Sequence, residues 1–539
     1  MKKIFDHFRS RQLRRVYVMA LFSSLVMLLL IAFLAGRSAP TRSVVVVPKR
    51  VITTSNAILQ ENAIPGTRDW QIPAAQVAYN EIQMYTNTPS VLPNQAISFY
   101  VSTQTNGTSY SIDIYRLGWY GGTGGRLVDS LSDLEGVAQG YYDQHSQSLV
   151  DCDSCTVDTK TGLVEAHWQP SYTLTIPPGW LSGIYLAKCT DAHGLQTSVP
   201  FIVRSLTPTL YIAVNPDTTY QAYNNWGGYS LYDYNTYNSN GLTRASKVSF
   251  DRPYTDVIGG GGTLDFELDA LHWFERQGYD ISYMSNVDLQ RDPGQLLHYR
   301  VYISLGHDEY WTKEMRDGVE NARNRGVSLA FLEANTGYWQ MRFEPDSKGV
   351  PDRTVVCYKV ETALHDLQRD PFYGVDNSRV TAQWRDPVLH RPENALIGIM
   401  YADLIQGRRG YPWYINPQTN SPLLRGTGLQ PSIPYGCDLV GDEWDRVFTN
   451  GATPNNLQVI AASPTSDNGG TTDVSYTTYY FANAKAMVFA SGSIYWTGAL
   501  DDYRITTQDP CAGQTAAVPA VQHFMANVMD ALVNPAFYR

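Results

Sequence analysis

Apolar residues fall along this chain in two rhythms. Between about residues 78 and 203 they come in short runs broken by turn residues, clearest at 96–102, 110–115, 167–176 and 183–188, with Pro177, Pro178 and Gly179 between two of them. Short runs without a helical period predict strands, and several at regular spacing predict a β-sandwich. Near Pro208 the rhythm changes. Residues 210–214 read as a buried strand, 264–277 as a helix closed by Gly278, and 281–284 and 301–305 as further strands. Thr312 is a candidate N-cap, followed by Met315, Val319 and Ala322 on one helical face, Gly326 after the last turn, and a strand at 327–332. Strands alternating with helices predict a parallel sheet. From Cys357 onward, strand-like runs such as 479–490 precede a terminal helix over about 518–533.

Candidate chemistry stands at the ends of three of these strands. After 301–305 the chain reads Gly306-His307-Asp308-Glu309-Tyr310-Trp311, a base, two carboxylates and a phenol on a strand-to-helix turn. Such turns lie at the carboxyl ends of parallel strands, where ligands bind. The two aromatics are costly in a fully exposed turn and point to a pocket wall. The strand at 327–332 ends likewise, in Glu333-Ala334-Asn335-Thr336-Gly337-Tyr338-Trp339, so Asn335 is expected to face the cleft of His307 and Glu309. The segment after 210–214 holds Tyr220, Tyr223, Tyr229 and Tyr232. It reads either as a carbohydrate-facing surface or as a source of phenolate ligands for a hard metal. No His-Glu-x-x-His, EF-hand or Gly-x-Ser-x-Gly pattern occurs. The glycine-rich piece 117–125 lacks the Lys-Ser/Thr pair of a phosphate loop and reads as a hairpin.

Bulk properties narrow the picture further. The 539 residues exceed one compact domain, and 12% aromatic against 17% charged content argues for a packed chain. A net charge of -10 excludes a general nucleic-acid binder. Basic residues within 1–15 precede an uncharged apolar run over 16–36, which is expected to be a transmembrane anchor with its N-terminus cytoplasmic and the rest extracytoplasmic. Secretion after signal cleavage is the alternative. Residues 37–75, with Pro40, Pro48 and Pro65, read as a spacer. Of the six cysteines, Cys152 and Cys155 are expected to close a loop disulfide, or one of them to bond Cys189.

The motifs Tyr-Gln-Ala-Tyr-Asn at 220–224, Gly-His-Asp-Glu-Tyr-Trp at 306–311, Asn335 with Tyr338 and Trp339, and Gly-Asp-Glu-Trp-Asp at 441–445 together resemble the large, or beta, subunit of N,N-dimethylformamidase over residues 80–539. The resemblance implies an α+β multidomain chain: an immunoglobulin-like β-sandwich at 76–205, then an α/β catalytic domain at 206–539 resembling class I glutamine amidotransferases, here behind the N-terminal transmembrane anchor. It implies a mononuclear Fe(III) held by two tyrosines and one glutamate. Glu309 matches the metal glutamate, and His307, Glu443 and Asn335 match catalytic or pocket positions. Tyr223 matches one metal tyrosine; the other is one of Tyr232, Tyr254, Tyr220 and Tyr185, with Tyr232 taken. A separate small subunit is part of that pattern. The plainer alternative for Glu443 is a loop carboxylate paired with Arg446.

The reading is therefore a membrane-anchored, extracytoplasmic, iron-dependent hydrolase of a C–N amide-type bond. Its expected partners are a small amide or cell-surface substrate and the membrane, with no nucleic acid, and the chain is a possible oligomer. The alternative is a non-enzymatic cell-surface protein that binds glycan or another surface ligand.

Overall fold

Strands whose side chains are apolar on both faces have no solvent side, so they belong in the interior of a covered sheet. The computed structural model describes residues 56–538 except 238–240, 256–260, 406–409, 467–469, 484 and 504–515. Four such strands, each buried along its whole length, form its centre: β1 (Tyr211–Asn215), β2 (Ile281–Ser285), β3 (Val301–Leu305) and β4 (Ser328–Leu332). With β5 (Gln458–Ser466), β6 (Thr472–Phe481) and β7 (Met487–Ala490) they make a seven-stranded sheet of order 2-1-3-4-7-6-5. The pairs β2–β1, β1–β3, β3–β4 and β4–β7 are parallel; β7–β6 and β6–β5 are antiparallel. Strand β1 has β2 on one side and β3 on the other. The connections therefore diverge there, and the crevice beyond the carboxyl ends of β1 and β3 is the expected ligand position.

Helices α1 (Asp217–Tyr223), α2 (Leu268–Gln277), α3 (Lys313–Asn324) and α4 (Pro519–Val533) flank this sheet. The helix expected over 264–277 is interrupted: a short turn, Thr263–Phe266, precedes α2, and the fully buried Glu267 stands between them. Gly278 ends α2 in the left-handed region, at φ 68°. Thr312 caps α3 by accepting the Met315 N–H at 3.1 Å.

Ahead of the large sheet, a five-stranded sheet and a three-stranded sheet pack face to face around Ile97, Phe99, Val101, Ile112, Ile114 and Phe201. Alternate residues of the same strands, Leu117, Ile184, Leu186 and Ile202, point the other way into one cluster with Ala213, Leu271 and Ile303. Arg116 crosses the same boundary to grip Glu275 of α2 at 2.7 and 2.8 Å, both side chains being fully buried. Residues Val47–Arg539 accordingly form one compact unit.

The expected fold class, an α+β multidomain chain with an immunoglobulin-like sandwich and an α/β domain resembling class I glutamine amidotransferases behind an anchor, needs correction. The chain is mostly β-sheet, 33% strand against 23% helix, with many small sheets. The reason lies after β4. That stretch is punctuated by Pro345, Pro351, Pro371, Pro387, Pro392, Pro412, Pro417 and Pro422, which break any long helical period. It folds instead as short strands, such as the pair Met400–Leu404 and Glu443–Arg446. The run at 16–36 lies outside the described residues. Among the described residues no helix is long and apolar enough to cross a membrane. The 15 residues of α4 reach only about 22 Å at 1.5 Å per residue, against a hydrocarbon core of about 30 Å. The single-pass membrane placement is therefore not supported. Cys152 and Cys155 are joined as a loop disulfide, while Cys189 is a buried free thiol in the sandwich.

Candidate active site

Three strand ends deliver the side chains to one crevice. Beyond β1 the chain turns at Pro216 into α1, whose Tyr220 and Tyr223 line the crevice. Beyond β3 it turns at Gly306, at φ 74°, where a Cβ would lie 2.4 Å from Glu267 Oε1 and 2.8 Å from the Tyr220 hydroxyl. Only glycine satisfies both the backbone and the space. His307, Asp308 and Glu309 follow. The Glu309 N–H donates to Thr219 Oγ1 at 3.0 Å, and its carbonyl accepts the N–H groups of Tyr338 and Trp339 at 2.8 and 3.0 Å. Beyond β4, Asn335 takes the left-handed conformation at φ 56°. Its N–H donates to Asp445 Oδ1 at 2.9 Å, which ties this turn to the strand that carries Glu443.

The loop after α1 returns Tyr232 to the same place, held by its N–H to Ser230 Oγ at 3.1 Å and by Thr236 Oγ1, which donates to the Tyr232 carbonyl at 2.8 Å. Tyr223 donates its hydroxyl to Glu309 Oε2 at 2.9 Å. Tyr232 donates to both Glu309 oxygens, at 2.9 and 2.8 Å, and accepts from the Tyr310 hydroxyl at 2.7 Å. The Tyr223 and Tyr232 rings stack with centroids 4.2 Å apart. Of the other tyrosines considered, Tyr220 donates to Glu267, Tyr254 lines the crevice, and Tyr185 is buried in the sandwich with its hydroxyl on the Leu181 carbonyl.

His307 Nε2 lies 3.0 Å from Glu443 Oε2 and 3.5 Å from Glu309 Oε2. Both atoms of the closer pair are buried and lack the alignment of a hydrogen bond, so the contact is an electrostatic pairing. Arg446, the plainer partner considered for Glu443, pairs instead with Asp473 at 3.3 Å. Burial opposes a charge on His307, but the Glu443 carboxylate and then Glu309 raise its pKa to about 10. Burial first, and the Glu309 charge second, push both the Tyr223 and Tyr232 phenols well above the usual tyrosine range.

Two phenols that share one carboxylate place three oxygen donors from three residues side by side. This donor set is hard and lacks sulfur, so it fits a small, highly charged cation such as ferric iron better than a soft one. Elsewhere, Glu165, Asp251 and Asp346 bring carboxylate oxygens within 4.8 Å of one another. These are engaged by the protein itself: Asp251 by Arg353 at 2.6 Å, Glu165 by the Ser347 N–H at 3.1 Å, and Asp346 by the Lys348 and Val350 N–H groups at 2.9 and 2.7 Å.

A family model described as N,N-dimethylformamidase beta subunit-like, C-terminal, matches residues 111–510, well over half of the chain. The chain belongs to that family. All six expected site residues fall inside the matched segment. Membership places the chain among dimethylformamidase-like hydrolases, a metalloenzyme-like group. No curated protein matches the chain. Among solved structures, it is similar to the cycloisomaltooligosaccharide glucanotransferase of Paenibacillus sp. complexed with cycloisomaltoheptaose. That match has 9% identity and a TM-score of 0.16 over 77% of this chain and 68% of the other, too slight to carry an argument.

In this dimethylformamidase-like chain all six residues line one cavity of about 750 Å³. Sequence reasoning missed other members of its wall. Lys359 is buried, with its ammonium 3.3 Å from the Tyr232 ring centroid, and burial lowers its pKa to about 8. Tyr234, Tyr401 and Asp442 line the cavity as well. Lys359 had no motif to mark it. Asp442 stands in the Gly-Asp-Glu-Trp-Asp motif, beside the residue that was picked.

Proposed function

We propose that the chain is a metal-dependent hydrolase of a C–N amide-type bond. The observation that carries this reading is the convergence of Tyr223 and Tyr232 on Glu309, with the His307–Glu443 pair at the same cavity wall. Tyr223, Tyr232 and Glu309 would hold the cation, taken as Fe(III) from the family resemblance. Bound there, such an ion supplies Lewis-acid polarisation of an amide carbonyl.

The remaining steps belong to the protein's own residues. Glu443 takes a proton from the attacking water. His307, paired with Glu443 at 3.0 Å, gives its proton to the leaving nitrogen as the C–N bond breaks. The products are a carboxylic acid and an amine. Asn335 is almost fully buried, and its side-chain oxygen has no partner among the described residues. It is placed to accept a hydrogen bond from the substrate or the water. His307, Glu309 and Glu443 are almost fully buried, which strengthens each of these interactions.

Metal analysis and visible spectra test the reading. Iron at one per chain with a phenolate-to-iron absorption band is expected, and Glu309→Ala and Tyr223→Phe each weaken both. Glu443→Gln should keep the iron and lose amide turnover by about two to four orders of magnitude, the usual worth of acid–base catalysis. A metal-free, well-folded protein with no turnover would instead favour a ligand-binding surface protein. Substantial turnover in Glu443→Gln would remove that residue as the base.

A further inference from the structure

The cavity is much larger than the smallest amides require. Its volume is about 750 Å³. N,N-Dimethylformamide has about five heavy atoms and would displace roughly 150 Å³, at about 30 Å³ per water-sized group. Pockets of the observed size bury ligands of drug-like dimensions.

The chemistry of the wall is uneven. The polar groups assigned to the reaction, Tyr223, Tyr232, Glu309, His307 and Glu443, contact one another. The rest of the wall includes Tyr234, Phe266, Tyr338, Tyr401, Leu404 and Ile405. Tyr234 lies 5.4 Å from Tyr232, centroid to centroid, and Phe266 lies 6.2 Å from His307, so each of these rings stands next to a reacting group. Tyr234 is 67% exposed, whereas Tyr223 and Tyr232 beside it are largely covered. An aromatic ring at the mouth of a cleft offers a stacking face, and flat apolar groups are what such faces bind. Charge restricts the ligand further. Setting aside Glu309, whose charge with two phenolates would balance a trivalent ion, the ionisable wall residues other than tyrosine are Asp265, Asp442 and Glu443 against His307 and Lys359, so acids outnumber bases and an anionic substituent is disfavoured.

We propose that the substrate is an amide bearing a flat aromatic or heteroaromatic group without negative charge, and that Tyr234 is a specificity-determining residue on which this group stacks. The proposal rests on the hydrolase reading for the reacting end and on the cavity wall for the remainder.

The test uses calorimetric titration of the full chain with N,N-dimethylformamide, N-phenylacetamide and 4-acetamidobenzoate, with hydrolysis by the iron-loaded protein followed in parallel. N-phenylacetamide should bind at least tenfold more tightly than dimethylformamide, because a stacked and partly buried phenyl ring exceeds the about 1.4 kcal/mol that a factor of ten takes. The carboxylate should bind more weakly than its neutral parent. Tyr234→Ala should cut the preference for the phenyl compound by about 2- to 10-fold, and Tyr234→Phe should restore it. Equal affinity for the phenyl and dimethyl amides, a preference unmoved by Tyr234→Ala, or tighter binding of the carboxylate overturns the proposal even if hydrolysis occurs. A preserved, Tyr234-dependent preference without hydrolysis of any amide supports the shape of the ligand and refutes the hydrolase reading instead.

Discussion

Replacing Gly306 by alanine puts a methyl group where the structure leaves no room. The new Cβ would lie 2.4 Å from Glu267 Oε1 and 2.8 Å from the Tyr220 hydroxyl. A surface carboxylate would swing aside, but Glu267 is fully buried and accepts a hydrogen bond from Tyr220. Two costs therefore add. A left-handed backbone with a Cβ costs about 1–2 kcal/mol, and forcing extra volume into filled space costs about 1–3 kcal/mol. Gly306→Ala should lose about 2–5 kcal/mol in all. Gly121 supplies the comparison, because its φ is 69° and nothing lies within 4 Å of its would-be Cβ. Gly121→Ala should carry only the backbone cost, about 1–2 kcal/mol. Urea unfolding at constant denaturant slope measures both losses. In a Tyr220→Phe background, the loss at Gly306 should shrink, because the hydroxyl at 2.8 Å is gone. Equal losses for the two alanine variants would refute the close-approach argument. Because Gly306 precedes His307 and Glu309, its variant should also weaken any metal binding at the proposed site.

Two further predictions concern groups away from the proposed metal ligands. Arg116→Ala leaves Glu275 buried and unpaired and should cost about 3–5 kcal/mol; Arg116→Met with Glu275→Leu should cost less than the single change, and a larger loss in the double variant would contradict the reasoning. Burial raises the Asp217 carboxyl from 3.8 to about 7, so the folded chain keeps a proton that the unfolded chain releases above about pH 4. Asp217 thus contributes most stability below the unfolded pKa and loses it as pH rises toward 7. Asp217→Asn abolishes that slope, so its urea midpoint should gain on wild type between about pH 5 and pH 8 at roughly 1.4 kcal/mol per pH unit until the folded pKa is passed. An unchanged gap at the two pH values would show that Asp217 is already ionised in the folded chain.

The sequence was most legible where local chemistry and tertiary environment agree. The run 301–305 is apolar but for Ser304, and it forms β3 with the same bounds. Thr312 caps α3 as its position suggested. Gly306 was legible as a strand terminator, but its tight contact with Glu267 was not, because the two are far apart in sequence. The same limit hid Lys359, which has no periodic or motif context and meets Tyr232 only through the tertiary fold. The helix over 264–277 was read as continuous because its apolar period runs through Glu267; the break appears only once that carboxylate is buried against Tyr220. The run 479–490 looked like one strand, whereas a turn divides it between the end of β6 and β7. Around Glu443, strand pairing with 400–404 depends on residues some forty positions away, and no local pattern announces such a partner.

The shared interior of the sandwich and the large sheet sets a rule for inheritance as well as for folding. Leu117, Ile184 and Leu186 on one side and Ala213, Leu271 and Ile303 on the other are parts of one cluster, bolted through Arg116 and Glu275. A crossover between relatives in the link at 204–210 would separate halves that pack as one cluster. Recombinants made there should be tolerated only when both parents carry matching residues at these contacts. The sandwich and the large sheet therefore constrain each other as a single block, while the loops beyond the strand ends lie outside that shared core.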